Sequence, residues 1–429
     1  MKKRIAIVEG VRTPMAKAGG KLASIQADDL GAYALAELLA RAEADPASID
    51  EVIFGNVAQP PHAANIARVI ALKAGLPART PAYTVNRNCA SGMDAITTAA
   101  SKILLEEAGV IVAGGTESMS NIPLLFDSGM AGYLTNLARA KTLPQRIAAL
   151  AGFKARYLKP VIAVTLGLTD PVSGLIMGKT AEILAREFRV TREEQDAYAL
   201  MSHQRTLAAI ASGAMAEEIV PIPIGGAHRE MFAVDQGPRE NQTLEALAKL
   251  NPYFERHNGT VTVGNSCPIT DGAAAVLLMS EERAKELGRE PLGYLREFAY
   301  ASLEPERMGL GPVYATAKLL AKAKMTMKDI ELVELNEAFA AQVIANERAF
   351  ASDEFARRFL GLDRAVGELS RDRLNVAGGA IALGHPVGMT GTRLVIHLLK
   401  EMRRRRLQTG LATLCVGGGQ GAALALEVA

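Results

Sequence analysis

The sequence predicts an α/β fold built twice, and three observations carry that prediction. From Ile5 to Ala113, strand-like and helix-like runs alternate in β-α-β-α-β order. The last third of the chain repeats the order. Each copy ends on a strand with a glycine-rich exit, Gly114-Gly115 in the first and Gly417-Gly418-Gly419 in the second. Such alternation argues for a mostly parallel sheet with helices on its faces. The repeated order argues for duplication. At 429 residues, 49% hydrophobic and with no Trp, the chain has room for two or three tightly packed α/β domains.

In the first copy, Ile5 to Val8 reads as a buried strand, and Arg12-Thr13-Pro14 to Gly19-Gly20 as a loop. Asp28-Asp29 place acidic residues at the start of a helix running from Leu30 to Arg41, where they suit the positive end of its dipole. Val52 to Phe54 is a strand, Asn65 to Ala74 a helix closed by Gly75, and Thr80 to Val85 a strand. A helix then runs from Met93 to about Glu107, followed by a strand from Val110 to Ala113. From Asn121 to about Thr270 the pattern breaks into Pro, Gly and loop-like segments, with helices at Lys179 to Phe188 and Thr191 to Ser212. Thr191 with Glu194 forms a capping box. Asp271 to Met279 returns to a strand. The second copy reads Val313 to Ala323 helix, Ile330 to Leu335 strand, Glu337 to Ala351 helix, Arg373 to Val376 strand, Met389 to Arg406 helix and Leu411 to Val416 strand.

Bulk properties exclude several classes. A net charge of +2 gives no argument for nucleic acid. Three widely spaced cysteines, Cys89, Cys267 and Cys415, argue against a disulfide framework and for a reducing, cytoplasmic setting. No C-x-x-C or H-E-x-x-H spacing marks a metal site. The N-terminus is basic (Lys2, Lys3, Arg4), but its apolar run stops at Glu9, too short for a signal peptide. The apolar run Val161 to Leu168 is too short to span a bilayer.

Four stretches could carry chemistry. Asn88-Cys89-Ala90-Ser91-Gly92-Met93 puts a cysteine between a strand and a helix. A thiol at a helix start meets unpaired N–H groups and the positive dipole end, which favour a pKa below the free value of ~8.5. The plain alternative is a buried structural cysteine. Gly378 to Gly391 crowds glycines around His385, with Pro386 fixing the chain just beyond the imidazole; the alternative is a helix-leading loop with an incidental histidine. The remaining histidines (His62, His203, His228, His257, His397) read as surface or packing residues. Leu414-Cys415-Val416-Gly417-Gly418-Gly419-Gln420-Gly421 sets a second cysteine at a strand end, before backbone N–H groups able to stabilise an oxyanion. Gly417 to Ala422 also fits a dinucleotide fingerprint, but a strand (Leu424 to Val428) follows instead of a helix. Leu335-Asn336-Glu337-Ala338-Phe339-Ala340 offers Asn336, either as a helix N-cap or as the holder of a catalytic water. Two further matches fail. Gly178-Lys179-Thr180 lacks the earlier glycine of a P-loop, and Arg403 to Arg406 suits a helix C-terminus.

Two cysteines, a histidine in a Gly-His-Pro loop and Asn-Glu-Ala-Phe, which follow along the chain as Cys89, Asn336 to Phe339, His385 and Cys415, together resemble the thiolase family over nearly the whole chain. The resemblance implies a duplicated, five-layered α-β-α-β-α fold with an inserted loop domain. Its halves would be residues 1–120 (completed by about 270–290) and 291–429, with the CoA-binding loop domain at 121–269. It also implies that Cys89 is the nucleophile that becomes acylated, and that His385 activates it and helps hold the thioester oxygen of the acetyl-CoA enolate. Asn336 would hold a water in that same pocket, and Cys415 would protonate the enolate and deprotonate the incoming CoA thiol. The N–H groups of Cys89 and Gly417 would form the second oxyanion hole. Met177, Arg239, Phe254, Val263, Met308, Ala338 and Phe339 match positions that contact CoA or line the pantetheine channel. Cys267 stands where many members have a serine, and reads as a small residue.

The implied reaction is reversible thiolysis of 3-ketoacyl-CoA in fatty-acid β-oxidation. CoA would be a co-substrate, with no tightly bound cofactor, and the assembly a homodimer or homotetramer. Its rivals are an acetoacetyl-CoA thiolase working in the condensing direction, a ketoacyl synthase (against which Cys415 speaks) and a silent thiolase-like subunit. Phe126 to Gly174 and the residues around Cys89 look like thiolases of trifunctional complexes, which implies a hydratase–dehydrogenase partner. Asn336 and Cys415-Val416-Gly417-Gly418 look more like ordinary tetrameric thiolases. Between Arg139 and Lys159 lie six cations (Arg139, Lys141, Arg146, Lys154, Arg156, Lys159) and no acidic residue, with Leu137, Leu143, Ile147, Leu150 and Phe153 interleaved. That segment reads as a membrane-surface patch, a dock for a partner, or a solvated or CoA-phosphate-facing loop.

Overall fold

The computed structural model describes residues 3–225 and 230–428; Lys2 and His228 lie outside the described residues. Ten strands join one sheet. In the first half Ile5–Arg12, Thr270–Ser280, Val110–Ser118, Glu51–Gly55 and Ala82–Val85 lie side by side, with the short Ala16–Lys17 against Thr270–Ser280. In the second the matching order is Gly293–Ser302, Gln420–Glu427, Thr409–Val416 and Leu332–Leu335. The duplication extends one step further. Val333 bridges Leu374 in parallel, so the strand-like run at Arg373 to Val376 takes the place of Ala82–Val85. The halves meet edge to edge where Ile5 to Ile7 pairs with Leu295 to Gly293.

The sheet is mixed, not mostly parallel. Glu51–Gly55 runs parallel to both its neighbours and Leu332–Leu335 parallel to Thr409–Val416, but the other pairings are antiparallel. The reason is local. Thr409–Val416 turns straight back into Gln420–Glu427 through Gly417, Gly418 and Gly419, and so short a connection permits only an antiparallel neighbour. In the first half the equivalent turn, between Val110–Ser118 and Thr270–Ser280, is where the whole middle segment is inserted.

Two helices, Ser91–Leu104 and Val387–Arg405, pack against each other between the half-sheets. Ala27–Arg41 and Ile66–Lys73 cover the other face of the first half, and Gly311–Ala323 that of the second, giving five layers. Met93, Ile96, Ala100 and Ile103 form the buried stripe of the first central helix. Arg403, Arg404 and Arg405 end the second helix on Glu290, Glu217 and Glu401, as cations at a C-terminus should. Glycine brings the two backbones together: a Cβ at Gly92 would lie 2.7 Å from the Thr392 nitrogen, and one at Gly391 would lie 2.5 Å from that of Met93. The first strand is anchored by a fully buried Arg12, which donates to Glu218 at 2.6 Å and to Asp235 at 2.7 and 2.8 Å. Glu218 also meets His397 at 3.1 Å.

The sequence reading missed the strand Gly293–Ser302, whose alternation is broken by a register shift between Leu295 and Glu297. It also missed the helices Ser128–Arg139 and Leu143–Ala151 in the middle segment. The helix expected from Glu337 starts only at Ala340.

Close packing under the central helix predicts a contrast between two glycines. A Cβ at Gly115 would stand 2.0 Å from the Gly388 carbonyl oxygen, whereas one at Gly132 would meet nothing. Gly115→Ala is expected to destabilise by about 3 kcal/mol, seen as a clear drop in the thermal melt. Gly132→Ala, in an exposed helix, should hold or raise the melting temperature.

Candidate active site

Cys89 stands two residues ahead of the helix Ser91–Leu104, with Ala90 as the N-cap, rather than in the helix's first turn. The turn that presents it is over-determined. Asn88 adopts a left-handed φ of 44°, a conformation Asn tolerates better than most residues. Ser91 Oγ donates to the Asn88 carbonyl at 2.7 Å and accepts from the Arg87 N–H at 2.9 Å. Asn88 Nδ2 crosses to the other half of the molecule and donates to the Gly417 carbonyl at 2.9 Å. The backbone N–H groups of Gly417 and of Cys89 itself act on the Cys89 sulfur and favour the thiolate. The thiol pKa is nevertheless raised, not lowered as the sequence reading expected. Removing the thiolate from water outweighs the two N–H groups, and the Glu117 carboxylate adds to the rise.

His385 occupies the equivalent place in the second half, two residues ahead of the helix Val387–Arg405. Burial and the nearby Arg393 guanidinium lower its pKa to about 4, so it is neutral at physiological pH. Its tautomer follows from the hydrogen bonds. Thr390 Oγ1 donates its one hydrogen to the Pro386 carbonyl at 2.9 Å, and therefore accepts from His385 Nδ1–H at 2.6 Å. That leaves Nε2 as the unprotonated nitrogen. Nε2 is buried and has no partner among the described residues.

Asn336 follows the strand Leu332–Leu335 and is fully buried. It is not a helix N-cap, because Phe339 takes that position. Neither atom of its carboxamide has a partner among the described residues, and a buried polar group left so calls for a water, an ion or a functional role. Cys415 is buried near the end of Thr409–Val416, and burial, with Cys89 and Cys267 beside it, holds its thiol pKa well up. Cys267 is pushed to about 12 by burial and by Cys89; its N–H donates to the Ala338 carbonyl at 3.0 Å. Three neutral thiols, a neutral imidazole and an unsatisfied carboxamide thus converge where the halves meet.

Glu337, which the sequence reading passed over inside its own motif, is the brace of this region. It accepts from Tyr198 Oη (3.1 Å), Ser202 Oγ (2.6 Å), Asn375 Nδ2 (3.0 Å) and the Ile381 N–H (3.2 Å), tying the Asn-Glu-Ala-Phe loop to the glycine-rich loop. Thr390 was likewise unremarked, although it lies within the quoted glycine-rich stretch.

The remaining expected residues divide. The Met177 sulfur lies 3.5 Å from where a Cβ on Gly417 would stand. Phe254 covers Gly178 and meets Phe339 edge-on, with centroids 6.0 Å apart. With Met308 and Ala338 these form one apolar cluster. Val263, 53% exposed, and Arg239 stand at the surface. The Arg239 N–H donates to His203 Nδ1 at 3.3 Å; burial, then the charges of Arg239 and Lys17, lower His203 to about 4.

Comparison with known proteins agrees with this architecture. The model of the thiolase N-terminal domain matches residues 5–282, and that of the thiolase C-terminal domain residues 289–428. A 3-ketoacyl-CoA thiolase of Serratia proteamaculans (strain 568) is 45% identical over 426 residues, covering 99% of this chain and 97% of its own. The Bacillus anthracis acetyl-CoA acetyltransferase superposes with a TM-score of 0.87 at 38% identity, covering 99% of both chains. Human mitochondrial 3-ketoacyl-CoA thiolase in complex with CoA does so with a TM-score of 0.86 at 36% identity, covering 100% of this chain and 98% of that one. With the duplicated fold, the converging thiols and two family domains spanning nearly every residue, the chain belongs to the thiolase family.

Proposed function

We propose that this protein catalyses CoA-dependent thiolytic cleavage of 3-ketoacyl-CoA to acetyl-CoA and a shortened acyl-CoA, in fatty-acid β-oxidation. The observation that carries the reading is a thiol under two N–H groups with a second, buried thiol beside it, in a fold that sets a neutral imidazole with a free Nε2 at the equivalent place ahead of the other central helix. His385 Nε2 takes the Cys89 proton as the sulfur attacks the C3 carbonyl. The Cys89 and Gly417 N–H groups receive the oxyanion. Collapse breaks the C2–C3 bond, leaving acyl-Cys89 and the enolate of acetyl-CoA. The enolate oxygen is held at His385 and the Asn336 site, and Cys415 protonates C2; its high pKa keeps that proton in place until then. The Cys415 thiolate next deprotonates CoA, whose sulfur displaces Cys89 from the thioester, and the proton held on His385 returns to the departing Cys89 sulfur. Met177, Phe254, Met308, Ala338 and Phe339 would line the pantetheine path, with Val263 and Arg239 contacting the outer part of CoA. The inserted segment, residues 121–269, would carry much of that binding. The protein would work in the cytoplasm as a homodimer or homotetramer.

A second reading concerns the middle segment. None of the residues of Leu143–Ala151 is buried. Leu143, Ile147 and Leu150 are 71%, 59% and 55% exposed along one face, next to a cluster of Tyr133, Phe153 and Tyr157 rings. No helix among the described residues is long and apolar enough to cross a membrane. An apolar helix face among six cations fits the surface of an anionic bilayer.

Three measurements check these readings. Cys89→Ala should abolish thiolysis, while Cys415→Ala should lose turnover but still acylate Cys89, as mass spectrometry after mixing with acyl-CoA would show. Thiolysis by clean Cys89→Ala, or an unacylated Cys415→Ala, overturns the assigned roles. The raised Cys89 pKa and neutral His385 mean a thiol–imidazole pair at rest. Alkylation of Cys89 by iodoacetamide should therefore climb with pH beyond the ordinary thiol value of ~8.5, without a plateau from about pH 5 to about pH 8. Such a plateau would reveal a thiolate–imidazolium pair instead. Co-sedimentation with vesicles containing anionic lipid should occur at low salt and weaken at high salt; no binding at low salt removes the membrane reading.

A further inference from the structure

Both halves of the fold place a strand exit against the start of the other half's central helix, and the two junctions can be compared residue by residue. In the second half Leu335 pairs with Thr413, which puts Asn336 level with Leu414 and Cys415 one step beyond. In the first half Gly55 pairs with Gly115, which puts Asn56 level with Thr116 and Glu117 one step beyond. Asn56 is therefore the counterpart of Asn336, and Glu117 that of Cys415. At one junction the strand exit faces Cys89, with the Asn336 carboxamide unpartnered. At the other it faces the first turn after His385, and the pocket is filled.

Glu117 fills it. The side chain is buried, and its carboxylate takes four hydrogen bonds from neutral donors. Oε1 accepts from Asn56 Nδ2 and the Ala58 N–H, both at 3.0 Å; Oε2 accepts from the Val57 N–H at 3.1 Å and the Gly388 N–H at 2.9 Å. Gly388 lies in the first turn of the helix that follows His385, where an anion is favoured. There is no room to move: a Cβ at Gly388 would stand 2.7 Å from the Thr116 carbonyl oxygen and 3.0 Å from Glu117 Oε2. Burial pushes the carboxyl up to about 7 against all four hydrogen bonds, so this is an energetically unfavourable place to keep a charge.

We propose that Glu117 is the positioning residue for thiol activation, its carboxylate closing the first half's copy of the pocket and holding Gly388, and with it His385, in register with Cys89. The proposal rests on the roles given above to Cys89 and His385. It gives Glu117 two effects: it fixes the base geometrically, and its charge helps keep the Cys89 thiol protonated until His385 takes the proton.

Glu117→Gln tests both. A carboxamide NH2 would confront N–H donors, so two of the four hydrogen bonds are lost. With folding confirmed by circular dichroism, kcat for 3-ketoacyl-CoA thiolysis should fall about tenfold or more while KM changes by less than about threefold. The pH midpoint for alkylation of the Cys89 peptide, followed by mass spectrometry, should move down, because the carboxylate that helps raise it is gone. The other titratable groups beside that sulfur, Cys267 and Cys415, are unaltered. Asn56→Ala, which removes one donor and keeps the charge, provides a milder variant should Glu117→Gln not fold. Its kcat should fall about threefold with KM unchanged. Wild-type kcat together with a wild-type alkylation midpoint in folded Glu117→Gln, or wild-type kcat in Asn56→Ala, overturns the proposal. Cys89→Ala run alongside separates the failures: if it is inactive while Glu117→Gln behaves as wild type, this inference alone falls; if it retains thiolysis, the functional reading falls with it.

Discussion

Everything at the centre of this molecule depends on how closely two helix backbones approach. Ser91–Leu104 and Val387–Arg405 touch through Gly92 and Gly391, and Gly115 lets the strand beneath come up to the Gly388 carbonyl. Contacts this close have no flexible side chain to absorb an error, so the starts of the two helices are fixed relative to each other. Cys89 and His385 each lie two residues ahead of one of them. Their relative placement is thus a property of the core, set by glycines that do no chemistry, and loop strain at Asn88 and the Thr390 hydrogen bond only refine it.

Electrostatically the site is made of groups kept neutral by burial. Cys89, Cys267 and Cys415 are all raised, and His385 is lowered. A low-dielectric pocket of this kind disfavours charge at rest and leaves the few available donors to act on the charge that develops during reaction. The Asn336 carboxamide and His385 Nε2 show the same economy in hydrogen bonds, since neither has a partner among the described residues.

Much of this was legible in the sequence. The alternating elements, the Thr191–Glu194 capping box, the glycine-rich strand exits and the clustered motifs led to the duplicated α/β architecture and to the residues that converge. The direction of the Cys89 pKa was not legible, because helix geometry is local whereas desolvation depends on the second half folding over the thiol. The mixed sheet was missed because the insertion hides the first half's hairpin turn, so strands that pair lie far apart along the chain. Glu337 and Glu117 escaped because a buried carboxylate that only accepts from neutral donors looks like any other acidic residue until its partners are seen.

The hydrogen bond from Asn88 Nδ2 to the Gly417 carbonyl has a consequence in time. It belongs to neither half alone. While the protein is being made, Cys89 leaves the ribosome with the first half, long before His385, Cys415 or the Gly417 N–H exists to meet it. Until the last strands pair, the Cys89 thiol lacks both the Gly417 N–H beside it and the tie from Asn88 to the Gly417 carbonyl. The surroundings of Cys89 are therefore completed only when the last strands close the fold, so that a truncated or misassembled chain would carry this thiol without them.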